Sequence, residues 1–236
     1  MRGVGRLDAA VKDVARALAR LGLTAEILDV AGDLRSLTDR VKKTAPDLVV
    51  NLMAPLPTEP QLAVDLAAHL EESGLPFTGA GALGLHFASD PALARRALAA
   101  HGVGSASVDD ELEGEDVAVG LVGNDTLELF PGAEGGSELH AAVVGRMPHA
   151  GFERAARIAH DTLLLRDYAL LVVRLTPVGQ VWVVRATPNP SLAVDGELAF
   201  VAAREGWTHT ALVAHVLDQA CARLGLSRGE ATLPAR

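Results

Sequence analysis

"LLRDYALLVVRLTPVGQVWVVRATPNPSL" (residues 164–192) decides how this chain folds. Two apolar runs rich in valine, 168–175 and 180–184, flank Pro177-Val178-Gly179, which predicts an antiparallel hairpin. Centring it on Val178-Gly179 sets Val172 opposite Arg185 and Leu170 opposite Thr187. With period-two alternation, Leu170, Val172, Arg174, Val183, Arg185 and Thr187 share one face. That face carries two arginines and no acid. The second strand then turns through Thr187-Pro188-Asn189-Pro190. A carboxylate at such a strand end can hold a metal or act as a base, and an arginine does neither. Two readings stay open. Arg174 and Arg185 pair with carboxylates of the acidic segment upstream or elsewhere. Alternatively, Arg174, Arg185, Thr187 and Asn189 form a metal-free anion site that grips a carboxylate or phosphate.

Upstream, helical and strand-like stretches alternate. Val11, Val14, Leu18 and Leu21 recur at helical spacing until Gly22. Residues 25–30 and 47–53 read as strands, 33–45 as an amphipathic helix with Asp33 as its cap, and 54–60 as a proline-rich loop. A helix over 61–74, a short strand at 76–79 and helical pieces at 82–89 and 91–101 follow. This order predicts an α/β fold, with a parallel, Rossmann-like sheet in a first domain over 1–104. The polar, acidic stretch 103–116 marks the boundary. A second domain over 105–236 holds a strand at 117–125, a partner at 126–130, a helix at 152–165, the hairpin and a closing helix at 208–225.

Composition removes several function classes. The chain has 236 residues and a net charge of −9, which disfavours nucleic acid and anionic membrane surfaces as partners. The single cysteine, Cys221, forbids an internal disulfide and suits a reducing cytoplasm; it reads as a buried, inert thiol. No apolar run approaches the roughly 20 residues of a membrane helix, and no targeting peptide is expected at the start. The only lysines are Lys12, Lys42 and Lys43, so chemistry needing a later lysine is excluded.

The short motifs point away from cofactors. "GAGALG" (79–84) matches a dinucleotide fingerprint in letters, but it comes late and lacks the acid about 20 residues on. It reads instead as a turn that lets a helix approach the sheet. "DDELEGED" (109–116) fails as a calcium loop, because its twelfth position is Gly120, where a bidentate glutamate belongs. The histidines show no metal spacing; His209 and His215 lie six apart on one helix, and Ser137 and His140 sit in a glycine-rich loop with no orienting acid.

The hairpin resembles the closing segment of ATP-grasp ligases of the D-alanine–D-alanine ligase type, roughly R-D-Y-A-R-V-D-F-R-L-D-x-D-G-x-x-Y-V-L-E-V-N-P-N-P-D-L. Further stretches resemble that family in order: "PDLVVNLM", "GLPFTGAGALGLHFASDPALARRALAAHGV" and "LEGEDVAVGLVGND". The resemblance implies a pre-ATP-grasp domain followed by an ATP-grasp domain with antiparallel strands and helices. The departures fall on the positions that carry the family's chemistry. Leu170 stands where the resemblance implies a phosphoryl-stabilising arginine. Val172 and Arg185 stand where it implies two metal carboxylates, Thr187 where it implies a metal-binding asparagine, and Pro91 where it implies a lysine after Asp90. The family's first strand and glycine loop are missing. So is the subdomain whose lysines clamp ATP, with only about eight residues bridging its place.

Phosphoryl transfer needs its charge neutralised by Mg²⁺ and cations, and magnesium wants carboxylate oxygens. The resemblance therefore implies a degenerate homologue with no catalytic, cofactor or metal residues. An accessory, scaffold or regulatory role is expected, as a homodimer or with a protein partner. The alternatives are a small-molecule or anion binder using the cleft between the lobes, or a carboxylate–amine ligase with unusual chemistry.

Overall fold

A computed structural model describes residues 9–29, 34–53, 60–106, 112–133 and 149–226. Asp33, Ser137, His140, most of the proline-rich loop and part of the acidic stretch lie outside these residues. The hairpin is the centre of the molecule. Strands β4 (Tyr168–Leu175) and β5 (Val181–Pro188) pair antiparallel, with Leu170 opposite Thr187 and Val172 opposite Arg185 as expected, while beside the turn Leu175 lies opposite Val181, one residue off the expected register. Gly179 closes that turn at φ 81°, and its N–H donates to the Thr176 carbonyl at 2.9 Å. Strand β2 (Glu115–Gly123) joins β4 antiparallel, β3 (Leu127–Ala133) joins β2, and the two-residue β1 (Gly104–Ser105) runs parallel to β5. The sheet order is β1-β5-β4-β2-β3.

Alternation along these strands feeds two cores. Val117, Val119, Leu121, Ala169, Leu171 and Val173 face helix α6 (His149–Thr162) and Leu98 of α5 (Pro91–Ala100). Ala118, Val122 and Tyr168 face the other way. There they meet α7 (Glu197–Arg204), α8 (His209–Leu224) and the first helix, α1 (Ala9–Arg20). Thr208 caps α8 by accepting from the Ala211 N–H, and Gly225 ends it at φ 66°. A third cluster joins α2 (Leu34–Thr44), α3 (Pro60–Glu72) and α4 (Ala82–Ser89) around Leu66, Leu70, Phe77 and Leu85. No helix among the described residues is long and apolar enough to cross a membrane.

Four expectations change. Residues 25–29 are not a strand: they pair with no strand among the described residues, Leu28 packs partly against a core and Ile27 stays exposed. The strands expected at 47–53 and 76–79 touch through one parallel bridge, Val49 to Phe77. The register of β4 against β5 slips after Val172, so that Val184 is an extra residue. That bulge turns Val183 to the α6 side and puts Trp182 opposite Arg174, removing Val183 from the face expected for it. Cys221 is half-buried rather than buried.

The glycines of "GAGALG" serve a close approach, made to a loop rather than to the sheet. A Cβ on Gly84 would lie 2.6 Å from the Leu164 carbonyl oxygen, and one on Gly79 (φ 87°) would overlap the Asn189 side chain. Gly84→Ala gains about 1 kcal/mol of helix propensity. It also collides with backbone that cannot rotate away, so a net loss of about 1–2 kcal/mol is expected, readable as a lower melting temperature.

Candidate functional site

The start of β4 and the end of β5 lie side by side, Ala169 opposite Pro188, and each is flanked by a residue in the left-handed region. Asp167 (φ 62°) precedes β4 and Asn189 (φ 51°) follows β5. Aspartate and asparagine tolerate that conformation. Both side chains turn toward the 77–80 segment. The Asp167 carboxylate is wholly buried and accepts from the Gly79 N–H at 2.7 Å and the Asn124 amide at 3.0 Å. It also accepts both arms of Arg223, each at 2.8 Å. Arg223 donates further to the Phe77 carbonyl at 2.8 Å. The Asn189 Oδ1 accepts from the Ala80 N–H at 2.7 Å. Next to this hub, burial pushes the Tyr168 phenol above its ordinary pKa, and the Asp167 carboxylate adds to it. The phenol stays neutral at physiological pH and reaches the Asn51 carbonyl at 3.4 Å. Two buried amides here, Asn51 Nδ2 and Asn189 Nδ2, have no hydrogen-bond partner among the described residues.

The sequence-derived residues separate. Arg174 is buried and held by Asp116, its partner across β2, at 2.6 Å through Nε and 2.8 Å through Nη2. It donates a third bond to the Leu112 carbonyl at 3.3 Å. Asp116 ends the acidic run, so part of that run belongs to β2 rather than to the linker. Arg185 is different: its side chain is 47% exposed and meets Glu197 only at 3.8 Å. Thr187 is half-buried opposite Leu170, and Asn189 is committed to Ala80. Arg185 and Thr187 thus share a stretch of β5, while the guanidinium of Arg174 is taken by Asp116. Leu170 and Val172 are buried and present no polar atom from their side chains. Between Ala106 and Leu112, where the resemblance implies a lysine-bearing subdomain, only residues 107–111 intervene.

Past Ser105, β1 stops covering β5, and a cavity of about 210 Å³ opens at that edge. Phe87, Leu98, Leu163 and Val183 are among the apolar residues lining it, with Pro91 at the start of α5. Two cations line it as well, Arg95 and Arg185. Pro91 and Arg185, two positions where the resemblance implies other residues, therefore both line one cavity. His209 and His215 serve as structure: a His209 ring nitrogen bonds the Leu192 carbonyl at 2.8 Å, and His215 stacks edge-on against Trp207. Among the described residues, no three His, Cys, Asp or Glu side chains lie close enough to hold a metal ion.

Sequence reasoning missed Asp167, Arg223 and Arg95. Asp167 lies within the quoted "RDY", but its partner is 56 residues away on the last helix, and no local spacing reports such a pairing.

No family model matches the sequence, and no curated protein matches it. Solved structures do. The D-alanine–D-alanine ligase from Bacillus anthracis complexed with ATP superposes with a TM-score of 0.66 at 12% identity, covering 96% of this chain and 97% of that one. The D-alanine–D-alanine ligase from Coxiella burnetii gives 0.58 at 13% identity over 75% and 68%, and VanG D-Ala:D-Ser ligase from Enterococcus faecalis 0.57 at 12% over 74% and 73%. At such identities the likeness carries the fold alone. The fold is that of an ATP-grasp ligase in shortened form.

Proposed function

We propose that this chain is a non-catalytic relative of the D-alanine–D-alanine ligases, acting as an accessory or scaffold protein, as a homodimer or with a protein partner. One observation carries the reading: Val172 and Arg185 face each other across the hairpin, an apolar and a cationic side chain at the two positions where the resemblance implies metal carboxylates. A guanidinium repels a divalent ion, and a valine offers it no oxygen. The phosphoryl group would further meet Leu170 instead of a cation, and no lysine follows Lys43. Exposed apolar side chains, Leu83 of α4 and Phe200 of α7, are available to a protein partner.

The test is calorimetric titration with ATP and Mg²⁺, together with phosphate release in the presence of D-alanine. No saturable binding in the micromolar range and release no faster than the buffer blank are expected. Micromolar affinity, or release above the blank, overturns the reading. A second reading, a binder of small anions, is favoured by the two arginines at the β5 cavity.

A further inference from the structure

We infer that the cavity beside β5 binds a small amphipathic monoanion: an apolar tail of a few carbons ending in a carboxylate, taken without metal or nucleotide. The inference deepens the second reading above and names its ligand class.

Size sets the first bound. About 210 Å³ is about seven water volumes and falls below the roughly 300 Å³ at which drug-sized sites begin. Chemistry sets the second. The wall is apolar, from Phe87, Leu98, Leu163 and Val183, and such a wall takes hydrocarbon rather than a sugar or a triphosphate. Charge sets the third. Among the described residues, two arginines and no aspartate or glutamate line the cavity, in a chain whose net charge is −9. The Arg95 side chain makes no hydrogen bond or ion pair to any described residue. Among the described residues, the Arg185 side chain has only its 3.8 Å contact with Glu197, where both side chains are about half-exposed. Such a pair is worth little and exchanges readily for a better acceptor. By contrast, Asp90 already accepts the Ala92 and Leu93 N–H groups that open α5, so the helix start is not the anion's partner.

The backbone supplies an independent argument. An unbroken strand offers alternate residues to one side, yet four consecutive residues, Val183, Val184, Arg185 and Ala186, line this cavity. The bulge at Val184 and the end of β1 at Ser105 fall at that stretch. Bulges beside sites commonly re-aim a side chain in this way.

The experiment is titration of the full chain, in EDTA without nucleotide, with acetate, butanoate, hexanoate and octanoate. Hexan-1-ol serves as the neutral control and inorganic phosphate as the tailless anion. Affinity is expected to rise about fourfold per methylene until the cavity is full. Hexanoate should bind about tenfold more tightly than hexanol and, at about fourfold per methylene, more than about a hundredfold more tightly than phosphate. Arg95→Gln and Arg185→Gln should each weaken hexanoate about tenfold and leave hexanol unchanged. The wild-type chain gives a second readout that needs no variant: nuclear Overhauser contacts from the hexanoate methyl to the Phe87 ring. No saturation by hexanoate up to roughly 10 mM, equal binding of hexanol, or contacts to other rings alone would overturn the proposal. Failure here leaves ATP inert and the non-catalytic reading intact, whereas ATP turnover would end that reading without touching this titration.

Discussion

Asp167→Asn is expected to lower the melting temperature by about 6–20 °C. The substitution keeps the shape of the side chain and tolerates the left-handed backbone at φ 62°, so what it removes is charge. Arg223 then keeps a partly buried guanidinium whose two donors point at a neutral amide. Removing one partner of a buried ion pair costs about 3–5 kcal/mol, and each kcal/mol is worth about 2–4 °C in a chain of this length. Arg223→Met leaves the opposite orphan, a carboxylate with no exposed surface, and should cost at least as much. The double variant should lose less than the two single losses added, with a coupling of about 1–3 kcal/mol. Because the same carboxylate holds the Gly79 N–H and Arg223 holds the Phe77 carbonyl, amide exchange at Gly79 should quicken in step. If the single variant melts within about 2 °C of the parent, Asp167 is not the tie between the 77–80 segment and α8.

What the sequence made legible was local, and what it hid was long-range. The β4–β5 hairpin was legible, and Val172 does lie opposite Arg185, but the turn itself sets Leu175 opposite Val181 and Arg174 opposite Trp182, and only an extra residue in β5 brings Arg185 opposite Val172. The bulge did not follow: in "VWVVRA" any of three valines can be the extra residue. The choice falls at Val184, just past the point where β1 ceases to pair with β5. Helical spacing in α1 announced its apolar stripe, yet not that Val14, Ala17 and Leu18 would pack with α8 and not with α2 or α3. Asp13 ties the same helix to the loop before α7 by accepting from the Val194 N–H at 2.9 Å. The arginines show the same division. Periodicity placed Arg174 and Arg185 on one strand pair, but the divergence of their partners depends on β2 bringing Asp116 into register with Arg174. The departures of Leu170, Val172 and Arg185 from the pattern that the resemblance implies were readable only against that pattern, since in isolation an apolar strand residue signals core and nothing more.

Rebuilding the carboxylates tests whether a few residues or the architecture separates this chain from a ligase. Val172→Asp alone places an acid at a position 5% exposed, directly across from Arg185. Opposite charges across a strand pair offset part of the burial cost. The triple change Val172→Asp, Arg185→Glu, Thr187→Asn sets two acids against each other instead. It should melt lower than the single variant and about 6–20 °C below the parent, since about 3–5 kcal/mol is lost when a buried charge has no partner. Mutual repulsion raises the folded-state pKa values of such a pair. The folded state then binds more protons than the unfolded one, so stability falls as pH rises through the carboxylate range; the deficit should be smaller at about pH 5 than at about pH 7.5. Magnesium at about ten times its dissociation constant should return about 1.4 kcal/mol. ATP should still not be consumed. Leu170 lends no charge to the transferring group, and only residues 107–111 stand where a lysine-bearing lid would have to begin. The measurements are melting temperature with and without Mg²⁺ at both pH values, and D-alanine-dependent phosphate release. Equal melting of the single and triple variants would remove the electrostatic account of the hairpin. Turnover by the triple variant would show that point changes alone had silenced a ligase and that the missing subdomain was never needed.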